Sequence, residues 1–358
     1  MGTGAVGAFY GSRVSAGGAK VSLVCRSNYK AIASAGLVRM QTRDFGDYEF
    51  RPHAVYDSVP AASAPGTPTW DYVVVTTKAL PDVSDDSELI APLVDASGRS
   101  AIVLIQNGVG VEAPYRTRFP HAPIVSAVTV ISAAQTEPGL IVQHRWTRIS
   151  LGPWQSDACN GTERTAEFGR LLTAGGIKDV ETYDQTDLQL VRWHKLTINS
   201  CVGLSMHRGR ANAVGCCARS VSCLADSLSS AMNPSSVLSG GTGNSRMSLD
   251  PELRIHLRGV MDELHAAVPK ILGRPFSAKM AKPEAILRST ERNTGGEPSM
   301  LLDWRKRAPM EIEVILGNPI RIAREKGIEL PRMQSMYALL KMAALRREED
   351  ARAPKSKL

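Results

Sequence analysis

Met1-Gly2-Thr3-Gly4-Ala5-Val6-Gly7 opens the chain with the Gly-x-Gly-x-x-Gly spacing of a dinucleotide-binding turn. In that turn the first glycine permits a tight reversal and the second lets the backbone approach a pyrophosphate. The third packs helix against strand. The downstream side fits this turn: residues 8–16 read as a helix, Gly17-Gly18 as its stop, and residues 20–25 as an apolar strand. The upstream side does not, since a single residue ahead of Gly2 cannot be a strand. The expectation is a Rossmann-type, doubly wound α/β sheet whose first, normally central, strand is missing. Two buried strands would then lack one neighbour each.

Working outward, Val73-Val74-Val75-Thr76 and Ala101-Ile102-Val103-Leu104-Ile105 are short β-branched runs alternating with helical patterns such as residues 86–93. That alternation predicts a parallel sheet. Residues 124–131 and 140–151 read as a hairpin around Glu137-Pro138-Gly139, 162–175 as a helix and 180–182 as a last strand. Beyond Asp184 the period becomes helical, over 188–199, 251–272, 282–289, 304–326 and 333–347. The domains expected are therefore 1–184, an α/β nucleotide-binding domain, and 185–346, an all-α domain, with a charged tail over 347–358.

Composition narrows the function. No run of about 18 apolar residues is present and no leader pattern precedes the glycines, so neither a membrane span nor secretion is expected. The net charge of +8 is spread along the chain with only 5% aromatic residues, which argues against a nucleic-acid partner. The six cysteines show no metal-ligand spacing, so no metal is expected, and they suit a reducing compartment.

In a dinucleotide fold the residue closing the second strand selects the cofactor: a carboxylate for the ribose hydroxyl of NAD, an arginine for the extra phosphate of NADP. Here the strand ends Val24-Cys25-Arg26, so Arg26 points to NADP (NADPH). The other reading of Arg26 is a solvated surface cation.

Further clusters then occur in order: Thr76-Thr77-Lys78-Ala79, Gln106-Asn107-Gly108-Val109-Gly110, Lys195-Leu196-Thr197-Ile198-Asn199, and Ser299-Met300-Leu301-Leu302-Asp303 with Glu311. The arrangement resembles the ketopantoate reductases (2-dehydropantoate 2-reductases) over nearly the whole chain. That resemblance implies an NADP-binding Rossmann domain joined to an all-α domain of the kind that ends 6-phosphogluconate dehydrogenase. It implies NADPH-dependent reduction of ketopantoate to pantoate, on the route to coenzyme A. By the same resemblance Lys195 is the catalytic lysine and Glu311 its partner carboxylate. Asn107, Asn199, Asn233 and Ser299 would hold substrate, with Asp303 bracing the site. Gly2, Thr3, Gly4, Ala5, Val6, Gly7, Arg26, Lys78 and Asn107 would hold the cofactor. Chemistry agrees, because hydride delivery to a 2-oxo acid leaves charge on the carbonyl oxygen, where a cation or proton donor is needed. A lysine that merely snorkels from its helix is the competing reading of Lys195. Glu313 competes with Glu311 for the carboxylate role; read as one helix, the two would point about 200° apart.

The sequence departs from the family after Asn199, where a second asparagine is expected one helical turn on. Excising residues 201–230, which carry four of the six cysteines, would join Asn199-Ser200 to Ala231-Met232-Asn233-Pro234 and restore the pattern. The block reads as an insertion, of a composition suited to translated intron, or alternatively as a looped-out segment. Three functional readings thus stand: ketopantoate reduction, reduction of another branched 2-oxo acid, or a catalytically impaired nucleotide-binding relic. Finally, Ser356-Lys357-Leu358 matches a peroxisomal import address. It implies an import receptor as partner and a peroxisomal location, with a cytoplasmic one as the alternative. A homodimer is compatible with all of this.

Overall fold

In the computed structural model the glycine-rich segment runs directly into helix α1 (Ala5–Ala16), whose alanine-rich start needs no side-chain cap. The structure describes residues 1–95, 97–155, 159–199, 233–238, 250–292 and 299–352. The block 201–230 and the tripeptide 356–358 lie outside them. The chain forms two compact units, Met1–Val191 and Arg192–Leu358.

The first unit is α/β. After α1 come β1 (Ser22–Val24), α2 (Tyr29–Ala35), β2 (Val38–Thr42), β3 (Gly46–Phe50), β4 (Ala54–Tyr56) and α3 (Val59–Ala62). Next are β5 (Tyr72–Val75), α4 (Asp86–Ile90), β6 (Ala101–Leu104), α5 (Ala113–Arg118), β7 (Ile124–Glu137), β8 (Leu140–Pro153), α6 (Gly161–Ala174) and β9 (Val180–Thr182). Strands β5, β6 and β7 are parallel, whereas β7 and β8 form the expected antiparallel hairpin. Every residue of β6 is buried, which is why it reads as a continuous apolar run rather than an alternation.

The sheet is divided in two. Among the described residues β1 pairs only with β4, in parallel, while β5 ends the larger sheet, ordered β3-β2-β8-β7-β6-β5 with β9 on β8. The division falls between β1 and β5, beside the glycine-rich segment, where the sequence reading expected the first strand to be missing. The β2–β3 hairpin is an element the helix-and-strand pattern did not announce. Its alternation is regular, with Val38, Met40 and Thr42 buried and Arg39 and Gln41 exposed, and Gly46 turns it at φ +70°.

One apolar cluster gathers α1 (Phe9, Tyr10), α6 (Phe168, Leu172), β2 and β8; a second gathers Val73, Val75, Ile90, Ile102 and Tyr115. α1 and α6 pack together, and at their C-terminal ends the backbones touch. A Cβ on Gly17 would overlap the Leu171 carbonyl, and one on Gly175 would overlap the Arg13 carbonyl.

Helix α7 (Gln185–Asn199) begins in the first unit and ends in the second. The second unit adds α8 (Asn233–Leu238), α9 (Pro251–Leu272), α10 (Pro283–Arg292), α11 (Ser299–Arg305), α12 (Asn318–Glu325) and α13 (Pro331–Arg352). α9 has every local signal of a helix: Asp250 caps the Leu253 N–H, Pro251 starts it, and Gly273 ends it at φ +68°. Its buried stripe of Leu257, Val260, Met261, Leu264 and Val268 faces the helices packed on it, α10, α12 and α13.

The segment 304–326, expected as one helix, is not one. α11 stops at Arg305, Arg307 takes φ +53°, and Glu311 precedes a π-helical stretch (Glu313–Gly317) that leads into α12. Pro309 also removes a backbone donor from this segment. Glu311 therefore shares no helix with Ser299, and a count around one helix cannot choose between Glu311 and Glu313.

Candidate active site

In the first unit the glycines take up three distinct roles. Gly2 has φ +88°, and a Cβ there would lie 2.7 Å from the Thr77 nitrogen. Gly7 packs so closely that a Cβ would come within 2.6 Å of the Gly2 oxygen. Gly4, between them, is exposed and faces open space, with nothing within 4 Å of its Cβ position. No acidic residue occupies the first turn of α1, so no side chain competes for an anion at its N-terminus. The loop thus fits a pyrophosphate at Gly4 and the start of α1.

Side chains fix the loop from both flanks. Thr3 Oγ1 donates to the Val24 carbonyl at 3.0 Å, and Asn28 Nδ2 donates to the Thr3 carbonyl at 2.6 Å. On the other side Thr76 Oγ1 donates to the carbonyls of Met1 and Gly2, at 2.9 and 2.7 Å. Arg26 is exposed at the end of β1, beside Asn28 and hence beside this loop. Thr3 is buried, and Ala5 and Val6 form the first helical turn, half-buried.

Lys78 is exposed on the loop after β5, and Asn107 half-buried on the loop after β6. A buried polar network clamps these two loops together. Thr77 Oγ1 donates to Asp86 Oδ2 at 2.6 Å, and Gln106 Nε2 donates to the Thr77 carbonyl at 3.1 Å and to Asp86 Oδ2 at 3.0 Å. Asp86 belongs to the architecture of the site, yet no sequence motif singled it out. The loops of Lys78 and Asn107 leave the carboxyl ends of β5 and β6, where ligands of open α/β sheets bind.

In the second unit Lys195 lies on α7, flanked by buried Trp193, His194 and Leu196. His194 Nε2 bonds the Ala281 carbonyl at 2.9 Å and its ring meets Phe276, which holds this face of the helix in place. Lys195 as a whole residue is intermediate in exposure. Desolvation of its ammonium, helped by the Arg192 charge and opposed by Glu311, nevertheless brings the pKa from 10.5 down to about 8. Arg192 is 3% exposed and one helical turn before Lys195. Sequence reading missed it, although the spacing of three was available as a signal.

The two candidate carboxylates are separated by their partners. Glu311, 6% exposed, acts electrostatically on Lys195. Glu313 is committed elsewhere: it accepts from Arg321 at 2.8 Å, from the Tyr337 hydroxyl at 2.7 Å and from Lys341 at 3.3 Å. Burial alone would raise the Glu313 carboxyl, but the Tyr337 and Arg321 hydrogen bonds and the Lys341 charge outweigh it and hold it below the usual range. Ser299 opens α11 half-buried and Asp303 is buried on the same helix. Asn199 ends α7 and Asn233 starts α8. Among the described residues no helix is long and apolar enough to cross a membrane, and no three His, Cys, Asp or Glu are placed to hold a metal ion.

The sequence matches the family model described as "Ketopantoate reductase PanE/ApbA" over residues 1–156, and its C-terminal counterpart over residues 227–344. It is 26% identical to the 2-dehydropantoate 2-reductase of Nostoc sp., covering 95% of this chain and 93% of that protein. It is 28% identical to an uncharacterized protein of Saccharomyces cerevisiae, over 92% of this chain and 88% of the other. Among solved structures, 2-dehydropantoate 2-reductase from Methylococcus capsulatus superposes with a TM-score of 0.76 at 29% identity, covering 96% of each chain.

Proposed function

From the premise that the chain belongs to the ketopantoate reductase family, we propose that it reduces ketopantoate to pantoate with NADPH. The observation that carries this reading is Lys195, a lysine brought to a pKa of about 8 by desolvation and balanced by the Glu311 carboxylate. A general acid works best when its pKa lies near the operating pH, and an ordinary surface lysine would lie more than two decades away.

NADPH, when bound, supplies the hydride. Gly2 to Gly7 would receive its pyrophosphate, Arg26 would pair with the phosphate that distinguishes it from NADH, and Lys78 and Asn107 would complete its contacts. Lys195 in its ammonium form faces the carbonyl oxygen of the 2-oxo acid and gives up a proton as negative charge grows there. Glu311 favours the ammonium form, so it keeps the donor loaded against the pull of desolvation and Arg192. Ser299, Asn199 and Asn233 hold the substrate, and Asp303 braces Ser299.

The test is NADPH consumption by the purified chain with ketopantoate and with a panel of other branched 2-oxo acids. Ketopantoate should give the highest kcat/KM, and Lys195→Ala should abolish turnover while keeping NADPH affinity. A faster acid elsewhere in the panel would reassign the substrate. Tight NADPH binding with no turnover of any acid would favour the catalytically impaired relic.

A further inference from the structure

Side-chain amides link the glycine loop to the β7–β8 hairpin. Asn28 is 5% exposed and stands at the start of α2, yet its side chain does not cap that helix. Its Nδ2 is spent elsewhere, donating to the Thr3 carbonyl at 2.6 Å and to Gln135 Oε1 at 3.0 Å. Orientation follows from what each group can do. A backbone carbonyl only accepts, so Asn28 must turn its NH2 to Thr3. The second hydrogen of that NH2 meets Gln135, which must therefore offer its oxygen rather than its nitrogen. The Gln135 NH2 is thereby turned away from Asn28. Among the described residues it donates to nothing, and Gln135 is exposed.

Arg26 lies within the same turn of chain as Asn28. It stands two residues earlier, its carbonyl accepts from the Tyr29 N–H at 3.1 Å, and its side chain is exposed. The one carboxylate of β7, Glu137, is paired with Arg39 at 3.2 Å. The β7–β8 ladder is irregular just here. Gln135 lies opposite Ile141 and Glu137 opposite Leu140, which leaves Thr136 as an extra residue on β7. Bulges of this kind re-aim side chains and recur beside active sites.

We propose that Gln135 is a specificity-determining residue for the cofactor, donating from its amide nitrogen to the phosphate that distinguishes NADPH from NADH, alongside the Arg26 guanidinium. This inference rests on the NADPH reading above and adds to it a residue from outside the strand and helix that flank the glycine loop. Arg26 supplies the charge. Gln135 supplies a neutral donor whose direction is fixed, because Asn28 holds its oxygen and the Thr3 carbonyl holds Asn28. Asn28 is thus the positioning residue of the pair. A donor lost to a charged acceptor is at least about a tenfold effect on affinity.

The experiment measures NADPH and NADH binding to the full chain by calorimetry, with no 2-oxo acid present, so no turnover is needed. Gln135→Met is neutral and carries no donor. Gln135→Glu keeps an oxygen for Asn28, carries no donor and sets a negative charge beside the phosphate. NADPH should bind at least about tenfold more weakly to Gln135→Met and about 10²-fold more weakly to Gln135→Glu, with NADH within about twofold of wild type in both. Unchanged NADPH affinity in Gln135→Met would overturn the proposal, since repulsion alone would then account for the other variant. Equal losses of NADPH and NADH would also overturn it, and leave Gln135 a prop for the loop. Arg26→Ala in the same assay separates the two readings. If it weakens NADPH selectively while Gln135→Met does not, this inference fails alone. If it does not, the NADPH reading fails and takes this one with it.

Discussion

Replacing Lys195 by methionine removes the titrating group while keeping an apolar stem of similar length, and the structure sets the size of the effect. Desolvation and the Arg192 charge, against the pull of Glu311, carry the lysine from 10.5 to about 8; at about 1.4 kcal/mol per decade of proton affinity, that is about 3 kcal/mol. The sign depends on which state holds the proton. Below pH 8 both native and unfolded chains are protonated, and the native state bears the full cost of a desolvated ammonium. Between 8 and 10.5 the native lysine has released its proton while the unfolded one still binds it, so stability rises with pH. Other groups titrate alike in both proteins, so the difference between wild type and Lys195→Met isolates this residue. From about pH 7 to about pH 10 that difference should move by about 2.5 kcal/mol in favour of the wild type. Urea unfolding at a series of pH values measures it. A difference that stays flat would mean that Lys195 reaches solvent, and the general-acid reading would lose its physical basis.

Other substitutions probe the remaining parts of the site and fold. Arg26→Ala should weaken NADPH binding by roughly 1–3 kcal/mol and leave NADH nearly unchanged by calorimetry; equal losses would remove Arg26 from phosphate recognition. Glu311→Gln should lower kcat by about 10²-fold. Glu313→Gln should instead cost about 1–3 kcal/mol of stability with turnover kept, since its carboxylate serves Arg321, Tyr337 and Lys341. Gly175→Ala should cost about 3 kcal/mol or more by denaturant unfolding, and a silent substitution would show that α1 and α6 can part. A fluorescent protein fused at the N-terminus should collect in peroxisomes if Ser356-Lys357-Leu358 is read, and a diffuse signal would reduce the tripeptide to chance.

What the sequence disclosed was whatever is encoded within a turn or two of chain. α9 was legible to its ends, because Asp250, Pro251 and Gly273 are local signals. The glycine loop was legible because Gly2 and Gly7 answer steric demands of their neighbours and Gly4 keeps the turn between them open. The region 304–326 was misread because its apolar spacing continues through the break, whereas the π-helical stretch at 313–317 lies against α13, an element distant in sequence. The β2–β3 hairpin was passed over for the opposite reason: its polar alternation resembles loop until both strands are seen to pair. At the site, Lys195 could be picked out by resemblance, but its lowered pKa could not. That value depends on a carboxylate far away in sequence and on the depth at which α7 is buried.

Contact between the C-terminal ends of α1 and α6 has a mechanical consequence. Where side chains intervene between two helices, they can repack and let one helix slide while the other stays. Gly17 and Gly175 place carbonyl against α-carbon, leaving nothing deformable between them. Any shift of the glycine loop as a ligand arrives must then be absorbed at the N-terminal end of α1, as a pivot about a fixed heel. The N-terminal end of that helix can tilt, while its other end stays seated on α6.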